Sequence, residues 1–150
     1  MTLPTTQTLY FEDLAIGMRE TYSKLVRASD VVGFAELTGD RNPIHLSEHF
    51  AAKTPFGGRI AHGLYTAGLI SAVIGTRMPG PGAIYISQTL RFLAPVRIGD
   101  TVLASVEVVE LTEKGARAQL ACRCTVEGTA VLEGEAVVKI PRRPPESRAS

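Results

Sequence analysis

An aspartate and a histidine stand five positions apart in Gly39-Asp40-Arg41-Asn42-Pro43-Ile44-His45. A carboxylate and an imidazole are well suited to moving a proton near neutral pH. Pro43 lacks a backbone donor and presses Asn42 toward an extended conformation, so no helix is expected to run through this stretch. The Asn42 side chain can bond to nearby backbone and help hold the loop. A structural role is also open to each residue, with Asp40 capping the following turn and His45 satisfied within the packing. Their joint presence on a proline-stiffened loop makes them a candidate acid–base pair.

The loop leads to a nearly charge-free run, Ala61-His62-Gly63-Leu64 to Ile74-Gly75. It predicts a helix from about His62 to Thr76, apolar on all sides, with Arg77 at the end that suits a cation. Gly63 falls at the start, where backbone N–H groups lack intrahelical acceptors and the dipole favours negative charge. A glycine there admits either a ligand or a tight helix–sheet contact. His62 either joins the site or caps and packs the helix. Ala67, Ser71 and Ile74 share one stripe that can line an apolar slot. Such a helix must be covered on most sides.

The flanking chain supplies the cover. Residues 1–9 read as loosely attached, and Tyr10 to Leu14 leads to a turn at Gly17. Glu20–Val26 predicts a strand, and Ser29 or Asp30 a helix cap, with Gly39 ending that helix in a left-handed conformation. Ser47 can cap a short helix over Glu48–Ala52. After Pro79-Gly80-Pro81-Gly82 the apolar period becomes two. Ile84, Ile86, Leu90 and Phe92 should share one face. Val102 to Val108, Ala118 to Val126 and Leu132 to Ile140 alternate likewise, with turns at Glu113-Lys114-Gly115 and Glu127-Gly128-Thr129. The result is an α+β domain, a strongly curved antiparallel sheet wrapped around one helix. It should occupy residues 1–140, with 141–150 as a flexible tail.

Composition removes other classes. The 150 residues are 45% hydrophobic and 21% charged with net charge +1, which gives no pull toward nucleic acid or an anionic membrane. The uncharged run Ile60–Thr76 is too short and too polar to span a bilayer, and the first residues lack the order of a secretory signal. Cys122 and Cys124 lie two apart on a strand as small core residues, without the spaced partners a zinc site requires. A reduced, cytoplasmic protein is expected. There is no GxGxxG, P-loop or GxSxG motif.

The segments Leu37-Thr38-Gly39-Asp40-Arg41-Asn42-Pro43-Ile44-His45 and Gly58-Arg59-Ile60-Ala61-His62-Gly63 closely resemble the signature of MaoC-like (R)-specific enoyl-CoA hydratases. The resemblance continues through Gly80 to Tyr85, Leu90-Arg91-Phe92 with Pro95, and Val96 to Asp100, so it covers most of residues 10–140. It implies the hotdog fold and a homodimer. It implies Asp40 and His45 as the hydratase pair, Asn42 as the residue that orients the loop, and the Gly63 N–H as the donor to the thioester oxygen. Ala67, Ser71 and Ile74 become the candidate acyl pocket. No metal or redox cofactor is implied, and coenzyme A enters as part of the substrate. Two alternatives use the same features: a hotdog acyl-CoA thioesterase, and a non-catalytic acyl-CoA-binding subunit. The Asn42-Pro43-Ile44-His45 arrangement argues against the first, and the intact Asp40 and His45 against the second.

Overall fold

The period-two stretches become the body of an antiparallel sheet. The computed structural model describes residues 7–145. Its strands are β1 (Arg19–Leu25), β2 (Ile84–Gln88), β3 (Arg91–Phe92), β4 (Thr101–Thr112), β5 (Arg117–Val126) and β6 (Thr129–Lys139). The helices are α1 (Ala28–Thr38), α2 (Pro43–Leu46), α3 (Glu48–Ala52) and α4 (Gly63–Thr76). The sheet order is β1-β4-β5-β6-β2, and β3 also pairs with β6. The curved sheet carries α4 against β1, β4 and β5. Val102, Ala104, Val106 and Val108 are fully buried, as are Leu120 and Cys124, with Leu132 almost so, which is the expected alternation. They meet Leu69, Ile70, Val73 and Ile74 of α4 in one core. Positive φ at both Glu127 and Gly128 makes the β5–β6 turn tight, with the twist that such hairpins favour.

Several local expectations are corrected. α1 starts before Ser29: Arg27 occupies the cap position and its N–H donates to Asp30 Oδ2 at 2.8 Å. Asp30 therefore acts from the third helical position, the reciprocal half of a capping box. Gly39 ends α1 as expected, with φ of 84° and its N–H on the Ala35 carbonyl at 2.8 Å. The loop after it contains a one-turn helix, α2, with Pro43 at the first position, where its missing N–H is harmless. Ser47 caps α3, its Oγ accepting from the Phe50 N–H at 3.1 Å.

The face expected of Ile84, Ile86, Leu90 and Phe92 is not formed as one. The register shifts between Tyr85 and Ser87, and the strand breaks before Arg91. Ile84, Ile86 and Phe92 stay exposed. α4 is likewise not covered on most sides, because Leu64, Gly68, Ser71 and Gly75 form an exposed stripe.

The chain ends are tied down within the described residues. Leu9 N–H donates to the Pro79 carbonyl at 2.8 Å, and Phe11 N–H to Pro141 at 3.0 Å. Arg142 pairs with Glu12 and Glu113, and Arg143 with Asp13. The expected flexible tail is thus anchored through Arg143; residues 1–6 and 146–150 lie outside the described residues. Among the described residues no helix is long and apolar enough to cross a membrane.

Candidate active site

Asp40 stands between the end of α1 and the start of α2. Its N–H donates to Thr38 Oγ1, and its Oδ1 accepts from the Asn42 N–H, both at 3.2 Å. Asn42 caps α2 by accepting the Ile44 N–H at 3.1 Å on its side chain. That single turn carries His45 back toward the sheet, where it is 9% exposed. Its Nδ1–H donates to the Ile60 carbonyl at 2.8 Å, which leaves the Nε2 lone pair free to take a proton. Arg59 Nε donates to the His45 carbonyl at 2.6 Å and fixes the turn from the other side. Burial lowers the His45 pKa below its ordinary 6.5; the Ile60 contact opposes this, nearby His62 adds to it, and Asp40 again opposes it.

His62 occupies the N-cap position of α4 without a side-chain capping bond, and its ring stacks on His45 with centroids 3.8 Å apart and planes 28° off parallel. Asp40, His45 and His62 each offer a ligating atom within 4.8 Å of the others. His45 Nδ1 and His62 Nε2 each already face a backbone carbonyl oxygen, of Ile60 and of Asp40. A water hydrogen-bonded to two groups at about 2.8 Å bridges atoms up to about 5.6 Å apart. The spacing of Asp40 and His45 therefore suits one shared water.

A cavity of about 500 Å³ joins Asp40, His45 and Gly63. Apart from His62 and Thr66 its remaining wall is apolar and includes Leu64, Phe92, Leu93, Val131 and Leu132. Gly63 is the first residue of α4, so its N–H has no intrahelical acceptor, and the residue lines that wall. A Cβ at Gly63 would stand 2.6 Å from the Phe92 ring, so any larger residue there would have to turn that ring aside.

Four sequence-derived site residues thus come together: Asp40, Asn42, His45 and Gly63. The expected acyl-pocket set does not. Ala67 and Ser71 line a separate recess with Tyr85 to Gln88, and Ile74 is 3% exposed in the core. Their stripe runs along the border between the buried and exposed faces of α4, and the larger Ile74 turns inward. Apart from Leu64 of α4, the apolar wall comes mainly from β3, the segment after it and β6, which no spacing near the helix could signal. Phe92 faces Leu132 by strand register, a long-range pairing.

Solved structures share this architecture. The unliganded R-hydratase PhaJ1 from Pseudomonas aeruginosa superposes with a TM-score of 0.88 at 41% identity, covering 92% of this chain and 89% of that one. The (R)-hydratase from A. caviae involved in PHA biosynthesis gives 0.85 at 43%, covering 87% and 99%. The fold is the hotdog fold, a curved antiparallel sheet around a central helix. The MaoC like domain matches residues 14–130, and the chain belongs to the MaoC-like family. Among curated relatives, the 3-hydroxybutyryl-CoA dehydratase of Methylorubrum extorquens is 68% identical over 141 residues, spanning 94% of this chain and 90% of that one. The (R)-specific enoyl-CoA hydratase of Rhodospirillum rubrum is 51% identical over 134 residues, spanning 89% and 93%.

Proposed function

We propose that the protein catalyses the reversible (R)-specific hydration of trans-2-enoyl-CoA to (R)-3-hydroxyacyl-CoA. The observation that carries this reading is the Asp40–His45 pair, at water-bridging separation, in one cavity with the free end of α4. The pair holds a water and takes a proton from it as the oxygen bonds to the β-carbon. Electrons move from the double bond onto the thioester oxygen, where the Gly63 N–H and the α4 dipole stabilise the enolate. The enolate collapses as the α-carbon takes up a proton delivered by the pair. One water is consumed, and no oxidant or metal is needed for the balance. Coenzyme A is part of the substrate and no further cofactor takes part. The acyl chain lies against Leu64, Leu93, Val131 and Leu132 instead of along Ala67, Ser71 and Ile74.

The decisive assay follows crotonyl-CoA at the enoyl absorbance while free thiol is titrated in the same cuvette. Loss of absorbance without thiol release, giving the (R) product, is expected. Thiol release would identify a thioesterase, and neither signal a binding subunit.

The working unit is a homodimer placed in the cytoplasm. Leu64 is 60% and Phe92 55% exposed in the cavity wall, and Ile84 on β2 is 60% exposed, apolar surface that a second copy would cover. Sedimentation velocity should give twice the chain mass of 16.1 kDa; a 16.1 kDa species at micromolar concentration would refute it.

The pH dependence follows from His45. As the base it must be neutral, and its pKa is held below 6.5. The kcat/KM profile should be flat above pH 6.5 and fall in acid through a pKa below that value. Folding stability carries the same sign. The unfolded state takes up the His45 proton more readily, so this contribution is present above pH 6.5 and is lost as pH falls toward the folded pKa. An acid limb centred at or above 6.5 would remove His45 from the role.

A further inference from the structure

We propose that His62 is a positioning residue for the Asp40–His45 pair, holding the Asp40 main chain and the His45 ring in register with the start of α4. This rests on the hydratase reading and adds a residue to its site. Three contacts converge on the one side chain. His62 Nε2 lies 2.9 Å from the Asp40 carbonyl oxygen, which can only accept, so the proton is on Nε2. The opposite face of the site is met by the stack on His45. Phe34 of α1 packs on the same imidazole with ring centroids 4.6 Å apart. His62 also stands at the N-cap position of α4, directly before Gly63, with no capping bond from its side chain.

The ring is far more polar than a packing role requires. His62 is 2% exposed, and its Nδ1 is buried without a hydrogen-bond partner among the described residues. An unpaired buried acceptor is destabilising, by an amount comparable to a lost hydrogen bond. An apolar side chain of similar size would fill the same space beside Phe34 without that penalty. What it could not do is donate to Asp40. Asp40 is exposed at its side chain, and its other anchors are the short contacts to Thr38 and Asn42 within the same loop. The bond from His62 ties that loop to a different element, twenty-two positions along the chain. Without it the carboxylate can drift from the water it shares with His45, and a displacement of about 1 Å can cost about 100-fold in rate.

Two substitutions separate positioning from packing. His62→Leu keeps the apolar volume and removes the donor; His62→Gln keeps a donor able to reach the Asp40 carbonyl. The expected result is a kcat for crotonyl-CoA hydration about 100-fold lower in His62→Leu with KM changed less than about threefold, and restoration to within about tenfold of wild type in His62→Gln. A second readout does not need turnover. In the NMR spectra of the intact protein, the amide signals of Arg41 and Asn42 should move in His62→Leu and stay near wild type in His62→Gln. Equal loss of kcat in both folded variants, or wild-type kcat in His62→Leu, overturns the proposal. So does an unmoved Arg41 amide in His62→Leu. If wild type itself fails to hydrate enoyl-CoA, the functional reading falls and the amide shifts alone decide whether His62 holds Asp40.

Discussion

Asp40→Asn and His45→Asn are each expected to lower crotonyl-CoA hydration by at least about 100-fold, the lower end of what general acid–base groups contribute. The replacements are chosen so that the fold has little to lose. Asn at position 40 keeps an oxygen to accept the Asn42 N–H and loses only the charge and the ability to carry a proton. Asn at position 45 can present an amide N–H toward the Ile60 carbonyl, where Nδ1–H now donates, while the basic Nε2 is gone. The Gly63 N–H and the apolar wall remain in both, so substrate binding should survive and the loss should appear in kcat. The two losses should not add, because both groups act on one water. A double variant is expected near the rate of the weaker single one. Activity within about tenfold of wild type in either single variant would sink the assignment.

A second large effect lies away from the chemistry. Gly134→Ala is expected to destabilise the protein by at least about 3 kcal/mol, at the upper end for an overpacking change. A Cβ on Gly134 would overlap the Thr89 carbonyl oxygen, with the Thr89 carbonyl carbon at 2.8 Å and Leu90 Cα at 3.3 Å. These are backbone atoms and cannot swing aside. Thr89 is also held to the same strand, its N–H donating to the Glu135 carbonyl at 2.9 Å and its Oγ1 accepting the Glu135 N–H at 3.0 Å. Relief would cost those bonds and displace Phe92, which lines the cavity two residues beyond Leu90. Thermal unfolding should shift down by roughly 6–12 °C for a chain of this size. A shift under about 2 °C would show that the β2–β3 connection gives way freely. Gly63 offers the contrast, since its close neighbour is the tip of a half-exposed phenylalanine that can rotate.

What could be seen in advance follows the range of the interactions. The β4, β5 and β6 core faces were legible because alternation is local and one side is buried in this chain alone. Asp40, Asn42 and His45 could be placed on one loop because Gly39, Pro43 and Ser47 punctuate it, but the one-turn helix α2 was missed, and spacing alone left a structural role open to each; their assigned roles came with the family resemblance. β2 misled because its apolar residues obey a surface that the single chain leaves open, so period two did not predict burial. The apolar wall of the cavity was hidden for a related reason. Phe92 and Leu132 are brought together by pairing across forty positions, and helical spacing around Ala67 carries no trace of it. His62 was ambiguous because its role depends on Asp40 and His45 arriving from another part of the chain.

The pairing of β1 with β4 joins Arg19–Leu25 to Thr101–Glu107 and so encloses everything from α1 to β3 in a single long loop. Asp40, His45, His62, Gly63 and Phe92 all lie inside that enclosure. Closing it fixes contacts far apart in sequence, which is entropically slow compared with the neighbouring β4–β5 and β5–β6 hairpins. The hairpins hold part of the apolar wall but none of the proton-transfer groups. The chemistry is therefore a property of the closed chain and cannot be carried by any contiguous fragment that omits β1 or β4.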